Sequence, residues 1–167
     1  MDYDGVLQTY IEVGVAFAGF AALVTVVRRK GSEEIEPQLA RRLRYMIETA
    51  LLAALFSVIA LSIRSFDVPD DMSWRISSGL LAVAWSFQTF FGLRRVRQNQ
   101  RAGYSWGSAP FRYFLLTLGY ASIAALAANS LGVFAPAAGP VFMSVLGILL
   151  FIAGLSFVRF IAETIPE

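Results

Sequence analysis

The sequence predicts an all-α fold: a polytopic membrane bundle of five transmembrane helices, with the N-terminus outside and the C-terminus cytoplasmic. Three observations predict it. The chain holds five apolar runs, at about residues 5–27, 45–64, 75–93, 111–132 and 140–160, each near the roughly 20 residues that cross a hydrocarbon core. Hydrophobic residues make up 57% of the 167 residues and the mean hydropathy is +0.62, against roughly 45–50% apolar in a soluble domain. Charge also segregates along this map. With the first connection inside, Arg28, Arg29, Lys30, Arg41, Arg42, Arg44, Arg94, Arg95, Arg97, Arg101, Arg112 and Arg159 are cytoplasmic. Arg64 and Arg75 alone among the 14 basic residues fall outside, together with Asp2, Asp4, Asp67, Asp70 and Asp71. That bias is the positive-inside rule. One transmembrane domain over 1–167, with no soluble domain, is expected.

The first run, GVLQTYIEVGVAFAGFAALVTVV from Gly5 to Val27, is stopped by Arg28, Arg29 and Lys30. At 1.5 Å per residue it is about 34 Å long. Asp2 and Asp4 stand where a signal peptide has basic residues, and the run is too long for one, so an uncleaved helix is expected. Pro37 suits the first turn of a second helix that runs to about Ser65 and enters the bilayer near Tyr45. The loop SFDVPDD follows, and Asp70 or Asp71 can cap the third helix. That helix continues through ISSGLLAVAWSFQTFFGL to the basic end RRVRQNQR, where Gly103 breaks it. Ser108 and Pro110 begin the fourth helix, which ends near Gly132. Gly139 and Pro140 begin the fifth, uncharged from Val141 to Val158 and running to about Glu163.

The first-helix pattern FAGFAALV with its basic stop, followed by an Arg-rich entry to a second apolar helix, resembles small uncharacterised bacterial multipass inner-membrane proteins. The resemblance covers roughly the first hundred residues. It implies a bacterial inner membrane, and it carries no activity and no site residues with it.

What is missing narrows the chemistry. The chain has no cysteine and no histidine, which removes disulfides, Cys/His zinc sites, iron–sulfur clusters and histidine-held haem. Its one lysine, Lys30, follows the first apolar run, so no buried lysine is at hand for a Schiff base. The segment Gly103-Tyr104-Ser105-Trp106-Gly107 matches G-x-S-x-G, but that elbow needs a strand-to-helix turn and a histidine base. A tight cytoplasmic turn with interfacial aromatics accounts for it. No catalytic residue, cofactor, metal site or nucleic-acid partner is expected, and the protein is not read as an enzyme.

The candidate site begins with Glu12, an acid about two turns inside the first helix. Asp4, Gln8 and Glu12 recur every fourth residue and so share one face. Opposite them, Gly14, Ala18 and Ala22 form a small-residue ridge suited to close helix approach. An unpaired ionised acid at this depth costs a few kcal/mol, so Glu12 is paired, protonated or wet. Arg64 and Arg75 are the candidate partners; the alternatives are an ion or proton path, or a lipid or partner contact. Deeper, Ser78, Ala82, Ser86 and Thr89 form a small, weakly polar stripe on the third helix, with Gln88 beside it. Thr117, Tyr120, Ser122, Asn129 and Ser130 follow on the fourth helix. These serve as interhelical glue or line a wet path. Asp67, Asp70 and Asp71 gather cations or serve the helix end. Arg44 and Glu48 are spaced for an i,i+4 ion pair, as are Arg159 and Glu163. Gly147 and Gly154, a heptad apart, mark a helix contact.

Two function classes remain. One is a homo-oligomeric ion or proton channel, its outer mouth lined by Asp4, Gln8 and Glu12 with Ser86 and Gln88 deeper. The other is a non-catalytic scaffold or accessory subunit that docks a partner membrane protein. Below Glu12 the face reads Ala16, Gly19 and Leu23, small and then closed, as in a narrow path gated by an apolar constriction. The balance leans to the channel.

Overall fold

The computed structural model describes residues 2–30, 37–66, 68–101 and 109–162. Among them are five α-helices and no strand: α1 Tyr3–Lys30, α2 Pro37–Arg64, α3 Asp70–Arg101, α4 Ala109–Ser130 and α5 Ala138–Ala162. A short 3-10 turn, Ala135–Ala137, leads into α5. Each α-helix contains a segment long and apolar enough to cross a membrane: Tyr3–Val24, Leu43–Arg64, Asp70–Arg94, Pro110–Ser130 and, with the 3-10 turn, Ala135–Arg159. The surface agrees with that assignment. Large apolar side chains such as Val15, Leu23, Leu55, Val83, Phe87 and Phe151 are more than half exposed, while Thr49, Ser57, Ser73, Ser77, Ser78, Ser122 and Asn129 are buried. That pattern, large apolar side chains outward and small polar ones inward, suits a lipid surrounding. Most of the hydrogen-bonded buried hydroxyls donate to a carbonyl one turn back. Thr49 bonds Tyr45 at 2.8 Å, Ser57 bonds Ala53 at 2.9 Å and Ser77 bonds Ser73 at 2.8 Å, which satisfies them without water. The chain is a small multi-pass membrane protein.

Local chemistry sets the helix ends. Asp2 caps α1: the Gly5 N–H donates to Asp2 Oδ1 at 3.1 Å. Pro37 opens α2, where its missing N–H costs nothing. At α3 the expected cap is not made by Asp70 or Asp71, because both already lie inside the first helical turn. Their carboxylates meet arginines instead, as described below. The end of α4 is a Schellman turn. Val133 N–H donates to Ala128 O at 3.1 Å and Gly132 N–H to Asn129 O at 3.0 Å, with Gly132 at φ 84°. The breaker Gly103, the GYSWG segment, Asp67 and Glu163 lie outside the described residues.

The helices pack as two compact units, Met1–Leu61 with Leu146–Glu167, and Ser62–Val145. In the first, α1 lies against α2 with almost no side chain between them. A Cβ placed on Gly14 would sit 2.7 Å from the Ala50 carbonyl oxygen and 2.9 Å from Ala54 Cβ. Ala21, Leu43, Met46, Ala50 and Ala153 form its buried cluster, ringed by Phe17, Val24, Ile47, Phe157 and Ile161. Tyr10 fills the space over Gly147 (hydroxyl to ideal Cβ, 3.2 Å) and Phe17 that over Gly154 (3.7 Å). Both partners advance by seven residues in the same direction, so α1 and this part of α5 run parallel. Phe157 then meets Phe17 and Phe20 edge-on, at centroid distances of 6.0 and 4.8 Å.

In the second unit α3 and α4 are antiparallel neighbours. Gly79 admits Ser130, 3.4 Å from its ideal Cβ position. The buried Asn129 donates through Nδ2 to Ser78 Oγ at 2.8 Å and to Ala138 O at 2.9 Å, joining α3, α4 and the start of α5. Trp74 packs on Phe142 at 5.8 Å. Of the polar stripe that the sequence leaves open as glue or path, Ser78 and Asn129 act as glue.

Candidate functional site

The candidate site is the face of α1 that carries Asp4, Gln8 and Glu12. Helix α1 makes its contacts through residues seven apart: Leu7, Gly14 and Ala21 are buried, with Tyr10, Phe17 and Val24 partly covered. At 100° per residue, Glu12 stands about 180–220° from all three buried positions. Asp4, Gln8 and Glu12 are exposed, so the acid points away from its own unit. Glu12 and Gln8 make no hydrogen bond or ion pair among the described residues. The face continues through Ala16, Gly19 and Leu23, all exposed, and an ideal Cβ on Gly19 would have no atom within 4 Å.

Within the small-residue ridge, only part of the expected contact is made. Gly14 is buried against α2, Ala18 is half-buried and Ala22 is exposed. The reason is angular. Steps of four residues advance the face by about 40° each, so the ridge walks off the seam. The buried line follows steps of seven instead and takes in Ala21 rather than Ala22.

The two arginines offered as partners for Glu12 are engaged within their own unit. Arg64 Nε donates to Asp70 Oδ1 at 3.5 Å, with its guanidinium 4.8 Å from the Trp74 ring centroid. Arg75 lies 3.8 Å from Asp71 and donates through Nε to the Ser130 carbonyl at 3.3 Å, at the C-terminal end of α4. Cations there complement the helix dipole. Asp70 and Asp71 thus hold arginines, a role that the i,i+4 spacing of Asp71 and Arg75 could have suggested. In the first unit Arg44 Nε donates to Glu48 Oε1 at 2.6 Å, so this cation is also occupied.

Ser86 and Gln88 do not share one environment. Two residues apart on a helix, they point about 200° away from each other. Ser86 is exposed, and its hydroxyl donates to the Ala82 carbonyl at 2.7 Å. The Gln88 amide is buried, and neither Nε2 nor Oε1 has a partner; Ser122 Oγ on α4 is likewise buried without one. Gln88 lies on α3 and Ser122 on α4, and nothing in the sequence marks either as buried without a partner.

A site of this kind can neutralise, relay or pass a cation, because Glu12 carries the only ionisable side chain on α1 between Tyr10 and Arg28. Among the described residues no three Asp or Glu side chains gather to hold a metal ion. A scan against protein-family models finds no match for the chain, and searches of curated proteins and of solved structures find none either.

Proposed function

We propose that this small membrane protein assembles as a homo-oligomer and conducts cations or protons along the α1 face of Asp4, Gln8 and Glu12, in a bacterial inner membrane with its N-terminus outside. One observation carries the proposal: Glu12 is exposed within a candidate span, on the side of α1 opposite its packed seam. An ionised acid facing hydrocarbon there costs about 2.5–3.5 kcal/mol per copy. Gathering the Glu12 face of several copies around a shared axis removes that cost by giving the acid water or a cation. The path therefore runs between protomers rather than through one. Ala16 and Gly19 leave room for close approach below the acid, and Leu23 supplies an apolar constriction.

The same exposed face supports the second reading, a scaffold whose α1 docks a partner membrane protein that brings its own cation to Glu12. Glu12→Gln separates the two. It keeps the shape and removes the charge, so in the conducting assembly thermal stability and oligomer size hold while cation flux into liposomes, or its selectivity, changes. Unaltered flux, or no flux from wild type and variant under any gradient or voltage, would overturn the conducting reading in favour of the docking one.

A further inference from the structure

We infer that the α3–α4 end carrying Arg94 and Arg112 is a binding site for the phosphate of an anionic phospholipid. This inference does not rest on the conducting reading.

The register of the two helices places the arginines together in depth. Ser78 and Asn129 are hydrogen-bonded across the α3–α4 seam. Arg94 lies sixteen residues beyond Ser78, and Arg112 lies seventeen before Asn129. Both helices rise 1.5 Å per residue, so in this antiparallel pair the arginines stand at one level, about 24 Å from the Ser78–Asn129 bond. That level is the membrane boundary. Arg94 is the last residue of its candidate span, and Arg112 is two residues inside the start of the next.

The surroundings are those of an interface rather than of a salt bridge. Arg94 stacks over Phe90 at 4.4 Å and Arg112 over Tyr113 at 5.3 Å. Neither has an acidic partner among the described residues, whereas Arg44, Arg64 and Arg75 each lie within 4 Å of a carboxylate oxygen. Phe90, Phe91, Tyr113 and Phe114 are at least half exposed around them. Exposed aromatic rings at a span end are the interfacial belt, and a ring under each guanidinium restricts it while leaving its N–H fork open. Two open forks at headgroup depth match a phosphodiester, which accepts bidentate hydrogen bonds from arginine. A lipid is favoured over free phosphate because the flanking surface is aromatic and apolar, suited to acyl chains.

The test uses the full-length protein in detergent, titrated with phosphatidylglycerol in mixed micelles, with phosphatidylcholine and inorganic phosphate as separate arms. Wild type should bind phosphatidylglycerol in preference to phosphatidylcholine. Each of R94Q and R112Q should weaken that binding about 5-fold, and the double variant about 25-fold. The double lysine variant, R94K/R112K, keeps the charge without the fork and should fall between. It also secures the test if the glutamine variants misfold. Equal phosphatidylglycerol affinity in wild type and folded R94Q/R112Q would overturn the site. Competition by inorganic phosphate as effective as that by the lipid would overturn the lipid as its ligand.

Discussion

Adding one methyl group to α1 should have opposite consequences at two glycines. At Gly14 the new Cβ would lie 2.7 Å from the Ala50 carbonyl oxygen and 2.9 Å from Ala54 Cβ. Carbon atoms pack best at roughly 3.5–4.0 Å, so the Ala54 contact falls short by about 0.6–1.1 Å. A backbone carbonyl cannot swing aside as a flexible side-chain tip can. α1 and α2 must separate, at the overpacking cost of about 1–3 kcal/mol. At Gly19 the same methyl meets nothing within 4 Å. Replacing a helical glycine by alanine gains about 1 kcal/mol of helix propensity at either position, so this gain cancels when the two variants are compared. Gly14→Ala should therefore unfold about 1–3 kcal/mol more easily than Gly19→Ala. Equilibrium unfolding in mixed micelles, followed by circular dichroism across a denaturing-detergent titration, measures the difference. If the two alanine variants unfold at the same point, α1 does not pack on α2 through Gly14.

Two further outcomes follow from other parts of the chain. Asn129→Leu, of similar volume, removes the bonds to Ser78 and Ala138 and should destabilise the protein by about 1–2 kcal/mol, given roughly 0.6 and at most about 1.7 kcal/mol per interhelical bond. In the same titration Ser122→Ala should be neutral or slightly stabilising, since its buried hydroxyl has no partner to lose; a destabilised Ser122→Ala would mean that the hydroxyl is bonded. For topology, a single cysteine at position 98, introduced into a chain that has none, should react with an impermeant thiol reagent only after the membrane is breached. Labelling from outside intact cells would reverse the orientation.

Much of the fold is legible because crossing a membrane is a property of a segment by itself. Pro37 marks the start of α2, and Gly132 marks the turn that ends α4. Each signal works through its own backbone, by a fixed φ with no N–H donor in proline and by a positive φ in glycine. The aspartates were harder to read. A carboxylate can cap a helix or hold an arginine, and proximity decides between them: Asp2 caps α1, while Asp70 and Asp71 meet Arg64 and Arg75.

The candidate site was legible as a pattern but not as a place. Spacing by four puts Asp4, Gln8 and Glu12 on one face from sequence alone. That this face turns outward could be known only once Gly14 was seated against Ala50 and Ala54, and Tyr10 and Phe17 over Gly147 and Gly154. Likewise, nothing in the sequence distinguishes Asn129, which binds two helices, from Ser122, which binds none.

By itself the sequence determined that there are five segments long and apolar enough to cross, with ends that the structure shifts by up to five residues, and that an acid lies within the first. The tertiary structure alone decided which side of each helix is covered. The physical reason is that lipid is as apolar as a side-chain core. Hydrophobicity drives every face of such a helix out of water equally. The choice between protein and lipid then falls to fit and hydrogen bonding with whichever residue the neighbouring helix presents at that depth.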